Sequence, residues 1–365
     1  MGGKGLSHSS CRSGGGRVSA RSKKASVLLA LLCVLLCLFP FFGCSDFVST
    51  EEEVTVYMPD GAPSLAMAKM MADDTDGDGI TYKVVAPSLI KSKVTSQNAE
   101  SNADICILPA LAASVLLGKG NVYQMLGVVT HGNLYLIAKN GETYTRENLH
   151  RLLGKTVGVL QIADVPGLTF KSVLKENGVA YQDVSGVEEA AADKVNLLGI
   201  SGAADVGALQ GVDVYVLAEP AVSMKIAAGI GFTLAGDIQV LYGGENGYPQ
   251  AVLVAKKSLI ETRAEFIQSC VRSIKASAEW LNVASGEAIT AAVYAHLEDG
   301  AYQSTLKAAA LKRETLARCG VRFVAASACK EEFAAYLARI GKINGGKTGL
   351  VNEAFYCPLH FGGGI

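Results

Sequence analysis

Short apolar runs, each followed by a proline and then a helical pattern, recur along this chain. Residues 54–58 alternate apolar and polar positions, as a half-buried strand does. Residues 63–71 then read as a helix with Pro63 at its first position, where the missing N–H costs nothing. In the same way residues 105–108 lead into a helix over 109–117, residues 156–160 into 166–176, and residues 212–217 into Glu219-Pro220 and a helix through Ala228. Such strand–proline–helix phrases predict βα units of an open α/β sheet. These sheets hold ligands beyond the carboxyl ends of their strands, so the joints are where a site is sought.

Residues 122–129 and 134–138 predict strands flanking Thr130-His131-Gly132-Asn133, and residues 251–255 predict one more. Beyond them the pattern turns helical. Over 261–281 the residues Phe266, Ile267, Cys270, Val271, Ile274, Ala278 and Leu281 share one helical face. Helices are also predicted over 286–296, 301–310 and 330–340, and Trp280 reads as a packing residue. This order implies two lobes. Residues 44–138 with 256–365 form the first and 139–255 the second, joined by two crossings that make a hinge, with the C-terminal helices packing back on the first.

The amino-terminal pattern differs from all of this. Six Lys/Arg and no Asp/Glu occur up to Lys24, residues 25–42 are uncharged, and Gly43-Cys44 follows. A basic region, an apolar region and a small residue before a cut are the parts of a secretory signal, and Cys directly after the cut reads as a lipid-attachment site. The expectation is a signal over 1–43 and a mature, outward-facing protein lipidated at Cys44. The alternative is a retained anchor, because these 18 uncharged residues fall within the ~17 to 25 needed to span a bilayer. Polar Ser45-Asp46 with no positive flank after the run favours cleavage. The segment resembles a bacterial lipobox, with Phe41 where Leu is usual.

Removing the signal takes six of the 33 basic residues and none of the 34 acidic ones, leaving a net charge of about −7 that argues against nucleic acid. The remainder is long enough for two domains of roughly 100–200 residues. With 50% hydrophobic but only 7% aromatic residues, its core is built mainly of Ala, Val, Leu and Ile. Cys106, Cys270, Cys319, Cys329 and Cys357 remain, an odd set without C-x-x-C spacing. A chain of this size needs no disulfide staples. A Cys319–Cys329 bridge stays open, and Cys106 reads as a buried strand residue.

Five phrases occur in an order that resembles a known family: Tyr57-Met-Pro-Asp-Gly-Ala-Pro63, Ala103-Asp-Ile-Cys-Ile-Leu-Pro109, Gly154-Lys-Thr-Val-Gly158, Gly211-Val-Asp-Val-Tyr-Val-Leu-Ala-Glu-Pro220 and Tyr248-Pro-Gln-Ala-Val-Leu-Val254. Together they are similar to the type II periplasmic substrate-binding proteins of ABC importers, in the branch that takes nitrate, taurine, alkanesulfonates and thiamine-pyrimidine precursors. The resemblance implies a bilobal α/β protein, monomeric and without cofactor. Such a protein closes around a small polar molecule, delivers it to an ABC permease with its ATPase, and performs no chemistry.

Candidate ligand contacts sit at the joints. Gly61 in Asp60-Gly61-Ala62-Pro63 permits close backbone approach, and Pro109 opens the helix after another strand. Thr130, His131 and Asn133 offer a hydroxyl, an imidazole and an amide, while Gln161, Asp164 and Glu219 face them from the second lobe. Plain turns and helix caps account equally for Asp60, Asp164, Glu219 and the 130–133 segment. With three acids and no Arg or Lys at these joints, the balance favours a ligand carrying N–H donors or positive charge over a sulfonate or nitrate. Asp74-Thr-Asp-Gly-Asp-Gly79 matches the first half of a calcium loop, but Val85 stands where a bidentate Glu is needed, so a solvated loop is expected and no metal. No H-E-x-x-H, G-x-S-x-G or P-loop occurs. The rival readings are an enzyme on the same fold acting on a small heterocyclic metabolite, and a ligand-sensing surface lipoprotein.

Overall fold

The computed structural model describes residues 53–74, 79–94, 103–139, 141–243 and 247–362, and builds them around two six-stranded mixed sheets. The signal, Cys44 and most of the Asp74–Gly79 loop lie outside the described residues. β1 (Val54–Pro59), β2 (Ile80–Val85), β3 (Ile105–Pro109) and β4 (Tyr123–His131) begin the first sheet. β5 (Leu134–Lys139), β6 (Thr156–Leu160), β7 (Tyr181–Val184), β8 (Val195–Ile200), β9 (Val212–Ala218) and β10 (Phe232–Asp237) form the second. β11 (Pro249–Lys256) and β12 (Val321–Ala325) return to the first. The orders are β12-β4-β11-β3-β1-β2 and β10-β5-β9-β6-β8-β7.

Both crossings therefore fall earlier than the hydrophobic pattern implied. β5, expected in the first lobe, pairs antiparallel with β9 and β10, while β11, expected in the second, pairs with β3 and β4. The chain leaves the first sheet at Gly132-Asn133 and is back in it at Pro249. Continuous apolar runs mark a strand buried on both faces, but they carry no record of which sheet buries it.

The first lobe packs the expected helical face inward: helix Ala264–Trp280 buries Ile267, Cys270, Val271 and Ile274, in one cluster with Val54, Val56 and Met58 of β1. The five cysteines among the described residues are all free and buried, so Cys319 and Cys329 form no bridge. Burial pushes the Cys329 thiol up to about 11. The helix predicted over 301–310 is absent; only Ala308–Ala310 makes a helical turn. Ser304 and Thr305 are drawn instead onto Asp60, and that tertiary demand outweighs local preference.

Helix Ala326–Gly341 follows β12 and buries Phe333, Tyr336, Leu337 and Ile340. It also reaches the second lobe. The Tyr336 and Thr169 hydroxyls lie 2.8 Å apart, Arg339 pairs with Glu176 at 2.5 Å, and Arg339 Nη1 donates to the Tyr242 carbonyl at 2.9 Å.

Candidate functional site

A cavity of about 510 Å³ opens between the two sheets, beyond the carboxyl ends of β1, β3, β6, β8 and β9. That is the place an open α/β sheet reserves for ligands, and the volume suits a small molecule. Eight sequence candidates line it: Asp60, Gly61, Ala62 and Pro109 from the first lobe, Asn133 at the hinge, and Gln161, Asp164 and Glu219 from the second. The other two do not. Thr130 and His131, 0% and 2% exposed, end β4, where Thr130 pairs with Ala251 and Val321 on its two flanks. The His131 N–H donates to the Gly320 carbonyl at 2.8 Å. A Cβ on Gly320 would stand 2.3 Å from the His131 carbonyl oxygen, so only glycine lets the strand be covered this closely. Burial and the nearby Arg322 charge lower the His131 pKa to about 3 and keep its ring neutral.

Asp60 is 3% exposed, and its carboxylate accepts four hydrogen bonds. Ser304 Oγ donates at 2.7 Å, the Thr305 N–H at 2.6 Å, Thr305 Oγ1 at 2.7 Å and the Tyr302 hydroxyl at 3.1 Å. Asp60 thus holds Tyr302 and Thr305, themselves part of the wall. The next residue, Gly61, has φ of +104° and ψ of −150°, a region only glycine occupies freely. Its carbonyl accepts from both the N–H and the hydroxyl of Ser64.

The second-lobe acids are engaged differently. Asp164 caps helix Val165–Glu176 by accepting from the Val165 N–H at 2.8 Å and pairs across the cleft with Lys91 at 2.5 Å. Glu219, its side chain fully buried, accepts from the N–H and hydroxyl of Ser223 and pairs with Arg318 Nε at 2.7 Å. Arg318 ends helix Arg313–Arg318, whose Leu316 packs in the first-lobe core. Both ion pairs therefore bridge the lobes, which corrects the expectation that no Lys or Arg meets the acids. The cations come from elsewhere in the chain, and the charge argument for a cationic ligand falls with them. The Glu219–Pro220 bond is cis.

At the hinge, Asn133 Nδ2 donates to the Glu219 carbonyl at 3.2 Å, the Glu219 N–H donates back to the Asn133 carbonyl at 2.9 Å, and the Asn133 N–H donates to Gln250 Oε1 at 3.1 Å. Asn133 is 1% exposed and its Oδ1 has no partner in the protein. Gln161 has φ of +50°, the one positive value at a non-glycine position among the described residues. Local strain of that kind collects at functional sites. The sequence reading missed Lys91, Ser201, Gln250, Tyr302 and Thr305, all in the wall. Gln250 lies within the Tyr248–Val254 phrase and so has a local signal; the others carry no local motif.

No protein-family profile matches the chain, and no curated protein matches it. Solved structures do. An ABC transporter from Parabacteroides distasonis superposes with a TM-score of 0.64 at 19% identity, over 85% of this chain and 100% of that one. The periplasmic aliphatic sulphonate-binding protein of Escherichia coli gives 0.59 at 13% identity, over 86% and 95%. A putative periplasmic sulfonate-binding protein from Methylobacillus flagellatus gives 0.55 at 13%, over 84% and 92%. The chain thus has the bilobal α/β fold of type II periplasmic binding proteins. Among the described residues no helix is long and apolar enough to cross a membrane, and no group of three His, Cys, Asp or Glu is placed to hold a metal.

Proposed function

We propose that this protein is an extracytoplasmic solute-binding component, anchored by lipid at Cys44, that captures a small polar molecule by closing its lobes and passes it to an ABC permease with its ATPase. The observation that carries this reading is the cavity walled by both lobes and bridged by two ion pairs, Lys91–Asp164 and Arg318–Glu219. Asp60, Gly61, Ala62, Pro109, Asn133, Gln161, Asp164 and Glu219 are its proposed contacts, joined by Tyr302, Thr305 and Gln250. The three cleft carboxylates are each committed to donors of the protein itself, which supports binding over acid–base catalysis. Hinge closure in bilobal proteins uses such a geometry.

Native mass spectrometry of protein purified without refolding, followed by scattering with and without the retained molecule, tests the reading. A molecule present at 100 times its Kd should add about 2.7 kcal/mol of stability and reduce the radius of gyration. Tight binding without compaction defeats the closure model. Cys44→Ala should free the protein from the membrane fraction or leave its signal uncleaved, and unchanged partitioning would remove the anchor.

A further inference from the structure

We infer that the cleft takes an uncharged molecule and rejects sulfonates, carboxylates and phosphates; this rests on the solute-binding reading above. Anions are usually held at strand-to-helix joints by the free N–H groups of the first helical turn. Here, at each of three joints of the second lobe, a carboxylate of the chain itself accepts from backbone N–H groups. At the joint after β6, Asp164 accepts from the Val165 N–H, and the next residue, Pro166, has none. After β8, Asp205 Oδ2 accepts from the Ser201 N–H at 2.7 Å and the Gly202 N–H at 3.4 Å. After β9, Glu219 accepts from the Ser223 N–H at 3.0 Å, behind Pro220.

In the first lobe two prolines thin the donors: Pro63 has no N–H in the turn after Gly61, and Pro109 has none at the cap of helix Ala110–Leu117. Among the described residues Lys91 is the only cation in the wall, and Asp164 holds it. An incoming anion would meet the Asp60 carboxylate, which no cation balances, and would have to displace Asp164 from Lys91. A cation fares no better, because Asp164 and Glu219 are already paired and Asp60 is surrounded by four donors. What remains in the wall is apolar surface from Leu160, Val165 and Leu217, with the neutral polar groups of Ser88, Gln161 and Gln250. Such a lining complements a neutral molecule with hydrogen-bonding groups on an apolar body.

The probes are ethanesulfonate and ethylammonium, titrated calorimetrically at low ionic strength into the wild type and Asp164→Gly. Glycine at a helix cap costs only a few tenths of a kcal/mol relative to Asp, and circular dichroism checks that the variant folds. The wild type should show no saturable binding of either ion at millimolar concentration. Asp164→Gly, with Lys91 and the Val165 N–H released, should gain ethanesulfonate affinity by about tenfold or more, and adding Lys91→Ala should remove the gain. Saturable binding of either ion by the wild type overturns the inference, and so does a silent Asp164→Gly. The two readings fail separately: a retained anion that compacts the protein would leave solute binding standing and sink the neutral-ligand assignment. A protein that never compacts would leave the ethanesulfonate result intact.

Discussion

Asp60 and Glu219 both follow a strand, both stand one to three residues before a proline, and both are buried, yet the fold uses them in opposite ways. Asp60 is answered entirely within its own lobe, by neutral donors from the 302–305 segment. Glu219 is answered across the cleft, by a cation from the other lobe. Thr315 Oγ1 adds a cross-lobe hydrogen bond to Ser223 Oγ at 2.9 Å, and the Tyr135 hydroxyl another to the Arg318 carbonyl at 3.3 Å. The first arrangement fixes a wall; the second fixes the distance between walls. An acid at a strand end therefore says that something is held there, without saying whether it is a loop or a lobe.

Arg318→Ala presses hardest on this contrast. It leaves the Glu219 carboxylate buried with only Ser223 to answer it, and should cost about 3 kcal/mol or more in urea denaturation. It should also enlarge the radius of gyration. Asp60→Ala should cost about 1.5 to 3 kcal/mol and raise hydrogen exchange at Thr305 and Leu306, with no change in lobe separation. If Asp60→Ala opens the lobes and Arg318→Ala does not, the distinction is wrong.

Between the two joints lies His131, whose folded pKa of about 3 is far below its ordinary 6.5. Between those values the unfolded chain binds a proton that the folded protein refuses. Stability should therefore fall as pH drops below about 6.5, by up to about 1.4 kcal/mol per unit. His131→Gln should flatten the slope between about pH 6.5 and 4; parallel wild-type and variant curves would show that the imidazole is not the group responsible. The smallest effect belongs to Lys91→Ala. With Lys91 49% exposed, its pair with Asp164 should contribute only about 0.2 to 1 kcal/mol, and less at high salt.

The sequence made the joints legible because an apolar run stopped by proline is a local signal, and eight of the ten candidates taken from it line the cavity. Their partners carry no such signal. Lys91 lies 73 residues from Asp164, Arg318 lies 99 from Glu219, and Thr305 lies 245 from Asp60. Nothing in the residues around Lys91 or Arg318 marks them as different from any solvated cation. Residues 301–310 failed for a related reason: their helical spacing is real, but the donors at Tyr302, Ser304 and Thr305 are claimed by a carboxylate that spacing does not see. Thr130 and His131 failed differently. They end a strand as expected, but β12, a strand the apolar pattern did not reveal, pairs along that end and shuts it away from the cleft.

Helix Ala326–Gly341 contributes no residue to the cavity wall, yet its Tyr336 and Arg339 hold the second lobe at Thr169, Glu176 and the Tyr242 carbonyl. For the lobes to part, those three attachments must let go together. On the solute-binding reading proposed above, the dwell time of a captured molecule would be set in part by groups it never touches, and selectivity and rate of release would be separately adjustable properties of one chain.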